Sequence, residues 1–86
     1  MLQQNIENLD ALILEEKKRV ALEFFNEAWA SAIDEGIEPH ILAESAVSTA
    51  LTKLTESEGE QHAETLVEAL PGQLECGKFN PNISLQ

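Results

Sequence analysis

Basic side chains are scarce in this sequence: five Lys and Arg stand against sixteen Asp and Glu, for a net charge of −11. Such a field repels phosphate backbones and anionic bilayers, so neither nucleic acid nor a membrane surface is an expected partner. Aromatic residues are few as well, with three Phe, one Trp and no Tyr. A core must therefore draw mainly on Leu, Ile, Val and Ala, a supply that suits closely packed helices and predicts an all-α fold. The one cysteine, Cys76, leaves no intrachain disulfide. Long hydrophobic runs are missing too: near the start the longest is Ala11 to Leu14, far short of the roughly 20 residues that span a bilayer. The N-terminus also lacks the basic region and long apolar stretch of a signal peptide, and a cytoplasmic location is expected.

What is present is helical periodicity. The 86 residues suit one domain, and a chain of this size buries only about 60% of its unfolded surface, so its core is either economical or shared with a partner. Leu2, Ile6, Leu9 and Ile13 fall at spacings of four, three and four, one seam on a helix. The stretch Val20 to Gly36 holds the Trp and two of the Phe. On a wheel turning about 100° per residue, Val20, Ala21, Leu22, Phe24, Phe25, Ala28, Trp29, Ala32 and Ile33 cover an arc of roughly 220°. Ala21, Ala28 and Ala32 with Phe25 form its middle, where small side chains permit close approach. Val20 with Phe24, and Leu22 with Trp29 and Ile33, form two flanks, so two neighbours are implied. Glu16, Glu23, Glu27 and Asp34 line the opposite, solvated face. The expected division is 1–19, an N-terminal helical extension or partly disordered arm; 20–79, a helical domain; and 80–86, a tail.

Gly36 supplies a helix-ending position with φ > 0, Ile37 can fold back towards Ala32, and Pro39 suits the first turn of a second helix. That helix, about Pro39 to Thr55, carries an apolar face of Leu42, Ala43, Ala46, Val47, Ala50, Leu51 and Leu54. Its other face, Ser45, Ser48, Thr49 and Thr52, is uncharged and expected to be plain surface. Ser57 and Glu60 have the spacing of a capping box at the start of a third helix, with Gly59 between them. Ala63, Leu66, Val67 and Leu70 give that helix its face, and Pro71 with Gly72 predicts a break, followed by a short fourth helical turn through Cys76 that Gly77 closes. The expected architecture is a small three-helix bundle with a long first helix and that fourth turn. Its expected core is Phe25, Ala28, Trp29, Ala32, Ala43, Val47, Leu54, Leu66, Leu70 and Phe79.

The strings FNEAWASAIDEG and ILAESAVSTAL, the pair Gly59 and Glu60, and LPGQLECGKF carry a resemblance over about residues 20 to 80. Through Phe25, Trp29, Gly36, Leu70, Pro71, Gly77 and Phe79, the chain resembles a group of small uncharacterised helical proteins from alphaproteobacteria. The resemblance implies a bacterial, cytoplasmic helical domain and carries over no functional residue.

Chemistry-bearing residues are sparse and scattered. His40 with Glu44 and Glu58 with His62 have a spacing that metal sites use, but a zinc site assembles three or four ligands, and Cys76 has no His or Cys near it in sequence. Exposed or capping histidines are the expectation, and no metal, catalytic residue or cofactor is assigned. Cys76 lies beside Glu75 in an acidic molecule, which favours the neutral thiol, so a half-buried structural cysteine is expected. Glu23, Glu27 and Asp34 are read as solvated carboxylates. An acyl carrier protein would present Asp-Ser-Leu at a helix start, and that motif is missing. A DNA-reading corner at Gly36 fails because its second helix offers phosphates only Lys53.

The expected function is thus a non-enzymatic protein-interaction module that forms a homodimer through helix 1, with Leu2, Ile6, Leu9, Ile13, Val20 and Phe24 as its interface. An acidic regulatory or inhibitor protein that binds a basic protein partner is the alternative. A small ligand-binding protein or enzyme ranks last, since no polar groups converge on an apolar pocket.

Overall fold

The computed structural model describes the backbone of residues 2–82 and the side chains of residues 8–82. These residues form three α-helices, α1 (Leu2–Asp34), α2 (Pro39–Glu58) and α3 (Glu60–Glu75), with no strand among them. The chain divides into two compact units, Met1–Ala43 and Glu44–Gln86.

In the first unit, α1 runs unbroken for 33 residues, about 50 Å at the usual rise. It takes in both the expected arm and the start of the expected domain. Its C-terminus is closed as the sequence predicts: Gly36 has φ +92°, its amide donates to Ile33 O at 2.9 Å, and the Ile37 amide reaches back to Ala32 O at 3.2 Å. This pair of bonds is a Schellman motif, which satisfies carbonyls that the helix end would otherwise leave open. The next helix starts at Pro39, whose missing amide costs nothing in a first turn. The Glu38 carbonyl accepts from Ile41 at 3.1 Å and Leu42 at 3.0 Å.

In the second unit, the connection between α2 and α3 is the single residue Gly59. Its φ of 97° and ψ of 163° lie in a region open essentially to glycine alone. The expected capping box does not form. Because α2 continues to Glu58, Ser57 is still inside it, and its hydroxyl donates back to Leu54 O at 3.4 Å. Gly59 is the N-cap of α3, without a side-chain cap bond.

The expected break at Pro71 is also corrected, since α3 continues through Pro71 and Gly72 to Glu75 and residues 71–75 are not a separate fourth helical turn. A proline inside a helix removes one amide, here the donor to Val67 O, and leaves the other bonds available. The turn beyond it is held from its far end. Gly77 has φ +83°, its amide donates to Leu74 O at 3.1 Å, and Lys78 reaches Gln73 O at 3.0 Å. This second Schellman motif repeats the geometry of the Gly36 corner.

Among the described residues, little apolar surface is covered. Of the expected core, Phe25, Ala28, Trp29, Ala43, Val47, Leu66 and Phe79 are exposed, while Ala32, Leu54 and Leu70 are half-buried. Ala63 is the one buried apolar residue among those described. A helix face is covered only where a second layer lies over it, and the first unit sets beside α1 no more than the opening residues of α2, up to Ala43. The second unit holds two helices and does better. Ala63, Leu70, Gln73 and Gly77, each buried or half-buried, recur at seven, three and four along one face of α3 and its closing turn, and Leu51, Leu54 and Thr55 are half-buried on α2.

Candidate functional site

The distinctive feature of the first unit is the series of exposed apolar residues along α1. From Leu9 to Phe25 its large apolar residues, Val20 aside, are exposed, from 46% at Ile13 to 72% at Phe25. Towards the Gly36 corner the covering improves. Trp29, Ile33, Ile37 and Ile41 lie between 38% and 44% exposed, and Ala32 and Leu42 are half-buried. Among the described residues of α1, exposure is thus greater from Leu9 to Phe25 than towards the Gly36 corner.

Of the six residues expected at an interface, Leu9, Ile13 and Phe24 are exposed and Val20 is half-buried. The side chains of Leu2 and Ile6 lie outside the described residues. Leu12 and Leu14 are exposed too, although a single seam read at three-four spacing passes over both. Their signal in the sequence was the unbroken run from Ala11 to Leu14.

The three consecutive basic residues sit at the centre of this band, and their partners differ. Arg19 binds Glu16 through two nitrogens, Nε to Oε1 at 3.2 Å and Nη2 to Oε2 at 2.5 Å, and its Nη1 donates to Glu23. Hydrogen bonding to Glu16 raises the Arg19 pKa above its ordinary value, desolvation pulls against that rise, and the bond to Glu23 adds to it. Lys18 pairs with Glu15 at 3.8 Å. Lys17 makes no ion pair among the described residues. Its helical neighbours at three and four residues are Ile13, Leu14, Val20 and Ala21, so no carboxylate on its own helix is placed to meet it.

The remaining candidates stay apart. Among the described residues, no group of three or more His, Cys, Asp or Glu is placed to hold a metal ion. Cys76 is exposed, not half-buried as expected, because it caps the end of α3, where its thiol donates to Gln73 O at 3.4 Å. Phe79 is also exposed, with the Lys78 ammonium 5.7 Å from its ring centroid, within cation–π range. Ser45, Ser48, Thr49 and Thr52 form an exposed polar face of α2. No helix of the described residues is long and apolar enough to cross a membrane. No family model, no curated protein and no solved structure matches the chain.

Proposed function

We propose that this protein is a non-enzymatic protein-interaction module that self-associates through α1 as a homodimer. The supporting observation is the exposed band from Leu9 to Phe25. Large apolar side chains left exposed in such number on one helix favour an association site in a protein that stays folded in water. Long helices draw most of their stability from packing an apolar face, which the first unit does not supply on its own. In this reading the helices complete a bundle only in the assembled pair. The line of Glu16, Glu23, Glu27 and Asp34 is a weaker candidate surface for a basic partner, since Arg19 already engages two of its four carboxylates.

Sedimentation of the parent chain at micromolar concentration is expected to show a dimer. Ile13→Asp removes a side chain that still exposes about half its surface. Losing half of a burial worth about 1.5–3 kcal/mol, once in each copy, costs about 2 kcal/mol, or roughly 30-fold in Kd. A strictly monomeric parent, or an Ile13→Asp variant that keeps its helix by circular dichroism and assembles as before, overturns the proposal.

A further inference from the structure

We infer that α1 of each copy packs on α3 of the other, its exposed apolar residues on the strip Val67, Pro71 and Leu74 and its Lys17 beside Glu60 and Glu64. The inference rests on the self-association proposed above and names the surface that α1 meets.

Two sets of uncovered apolar residues motivate the pairing. One is on α1, where Leu9, Ile13 and Phe24 are exposed. The other is on α3, where Glu60, Glu64, Val67, Pro71 and Leu74 recur at four, three, four and three along one line. All five are exposed, Leu74 by 64%, and the line borders the face that carries Ala63 and Leu70. Packing α1 on α1 leaves this strip in water, whereas packing α1 on α3 covers both sets in one interface. The contact is made twice about a two-fold axis, so the assembly closes as a dimer.

Charge argues for the same surface. Lys17 lies among Ile13, Leu14, Val20 and Ala21, so whatever covers that part of α1 also takes the Lys17 stem and has to leave its ammonium a counter-charge. The three carboxylates nearest to it in sequence are already engaged: Glu15 pairs with Lys18, and Glu16 and Glu23 pair with Arg19. A second α1 brings those same occupied groups. In contrast, α3 brings Glu60 and Glu64, which make no ion pair among the described residues and stand at the end of an apolar strip. From Glu60 to Glu75 that helix holds no Lys or Arg, so it presents no cation to repel the ammonium. Unlike charges placed beside matching apolar contacts decide which surfaces meet.

The test is zero-length cross-linking with a water-soluble carbodiimide, which condenses an amine and a carboxylate into an amide with loss of water. Unlabelled and heavy-isotope full-length chains are mixed, allowed to exchange and cross-linked, and mass spectrometry separates links between copies from links within one. Expected is Lys17 joined to Glu60 or Glu64 of the other copy. Sedimentation of variants that keep their helix content supplies the energetic side. Leu74→Ser is expected to weaken assembly about tenfold. Glu64→Lys is expected to weaken it about three- to tenfold, although it makes the chain less acidic and would by repulsion alone tighten the dimer. Lys17→Glu with Glu64→Lys in one chain, at the parent's net charge, is expected to restore most of that loss. Lys17 links that are absent from α3 or occur only within one copy overturn the inference. A dimer that Ile13→Asp weakens, and that Leu74→Ser and Glu64→Lys leave unchanged, overturns it too and leaves self-association through α1 standing. Monomeric sedimentation of the parent overturns both inferences.

Discussion

Three turns in this chain, at Gly36, Gly59 and Gly77, depend on backbone angles that L side chains rarely adopt, and the first two separate conformational from steric cost. At Gly36 and Gly59, with φ of +92° and +97°, an added Cβ would meet no atom within 4 Å. Any penalty for alanine there belongs to the backbone. At Gly36 it is expected to be about 1–2 kcal/mol, the cost of the left-handed region. Gly59 adds a ψ of 163°, so its alanine variant falls at the upper end of about 1–3 kcal/mol. Gly72 is the internal control, lying inside α3 with open space around it, where alanine is expected to stabilise by about 0.5–1 kcal/mol. Urea unfolding at one fixed protein concentration should therefore rank the midpoints as Gly72→Ala, parent, Gly36→Ala, Gly59→Ala, from highest to lowest. Fixed concentration matters because assembly contributes to apparent stability. A Gly59→Ala midpoint equal to the parent's would contradict the positive φ at the α2–α3 junction.

At the scale of elements, what was legible in the sequence was what local chemistry decides. The Gly36, Ile37 and Pro39 corner reads directly because a positive φ, a back-folded amide and a proline in a first turn each follow from one residue's covalent structure. The end of α2 did not read correctly, because Ser57 serves equally well as a cap or as a donor to the carbonyl three residues back, and only the length of α2 decides between them. Pro71 misleads for a related reason: it signals a break, yet the helix loses one bond there and is anchored beyond it by the Gly77 motif. Burial was the least legible property. Periodicity shows which face of α1 is apolar but not whether the same chain covers it, and seven of the ten expected core residues are exposed in the structure. The Pro71 reading makes its own prediction. Alanine at that site restores the donor to Val67 O and relieves the ring's clash, gains worth up to about 3 kcal/mol. The freer unfolded chain offsets about 0.4–1 kcal/mol of that gain. Pro71→Ala should raise the thermal midpoint while leaving helix content nearly unchanged. A lower midpoint would mean that the proline's fixed φ is what holds the last turn of α3.

For the whole molecule, the quantity that would oppose the proposed assembly is charge. In the proposed homodimer each copy would bring −11 to an association driven by apolar surface, and self-repulsion of this size works against compact assembly. Attraction between the few basic side chains and the acidic surface of the other copy acts in the opposite sense, but exposed pairs contribute only about 0.2–1 kcal/mol each. Both electrostatic contributions weaken with salt, so the sign of the salt dependence shows which is larger. Screening reaches about 30 Å at 0.01 M salt and about 8 Å at 0.15 M, so at low salt each carboxylate of one copy acts on most of those in the other. Moderate salt removes this long-range repulsion first, since a contact pair works over a few ångströms. The apparent Kd for self-association should therefore tighten severalfold between 0.01 and 0.15 M sodium chloride, roughly the interval over which the screening length shrinks most, and level off above it. Sedimentation equilibrium across that series measures the effect. A Kd that weakens steadily with salt would mean that attraction between unlike charges dominates, and would turn attention from the exposed apolar residues of α1 to the acidic line of Glu16, Glu23, Glu27 and Asp34 as the surface that meets the partner.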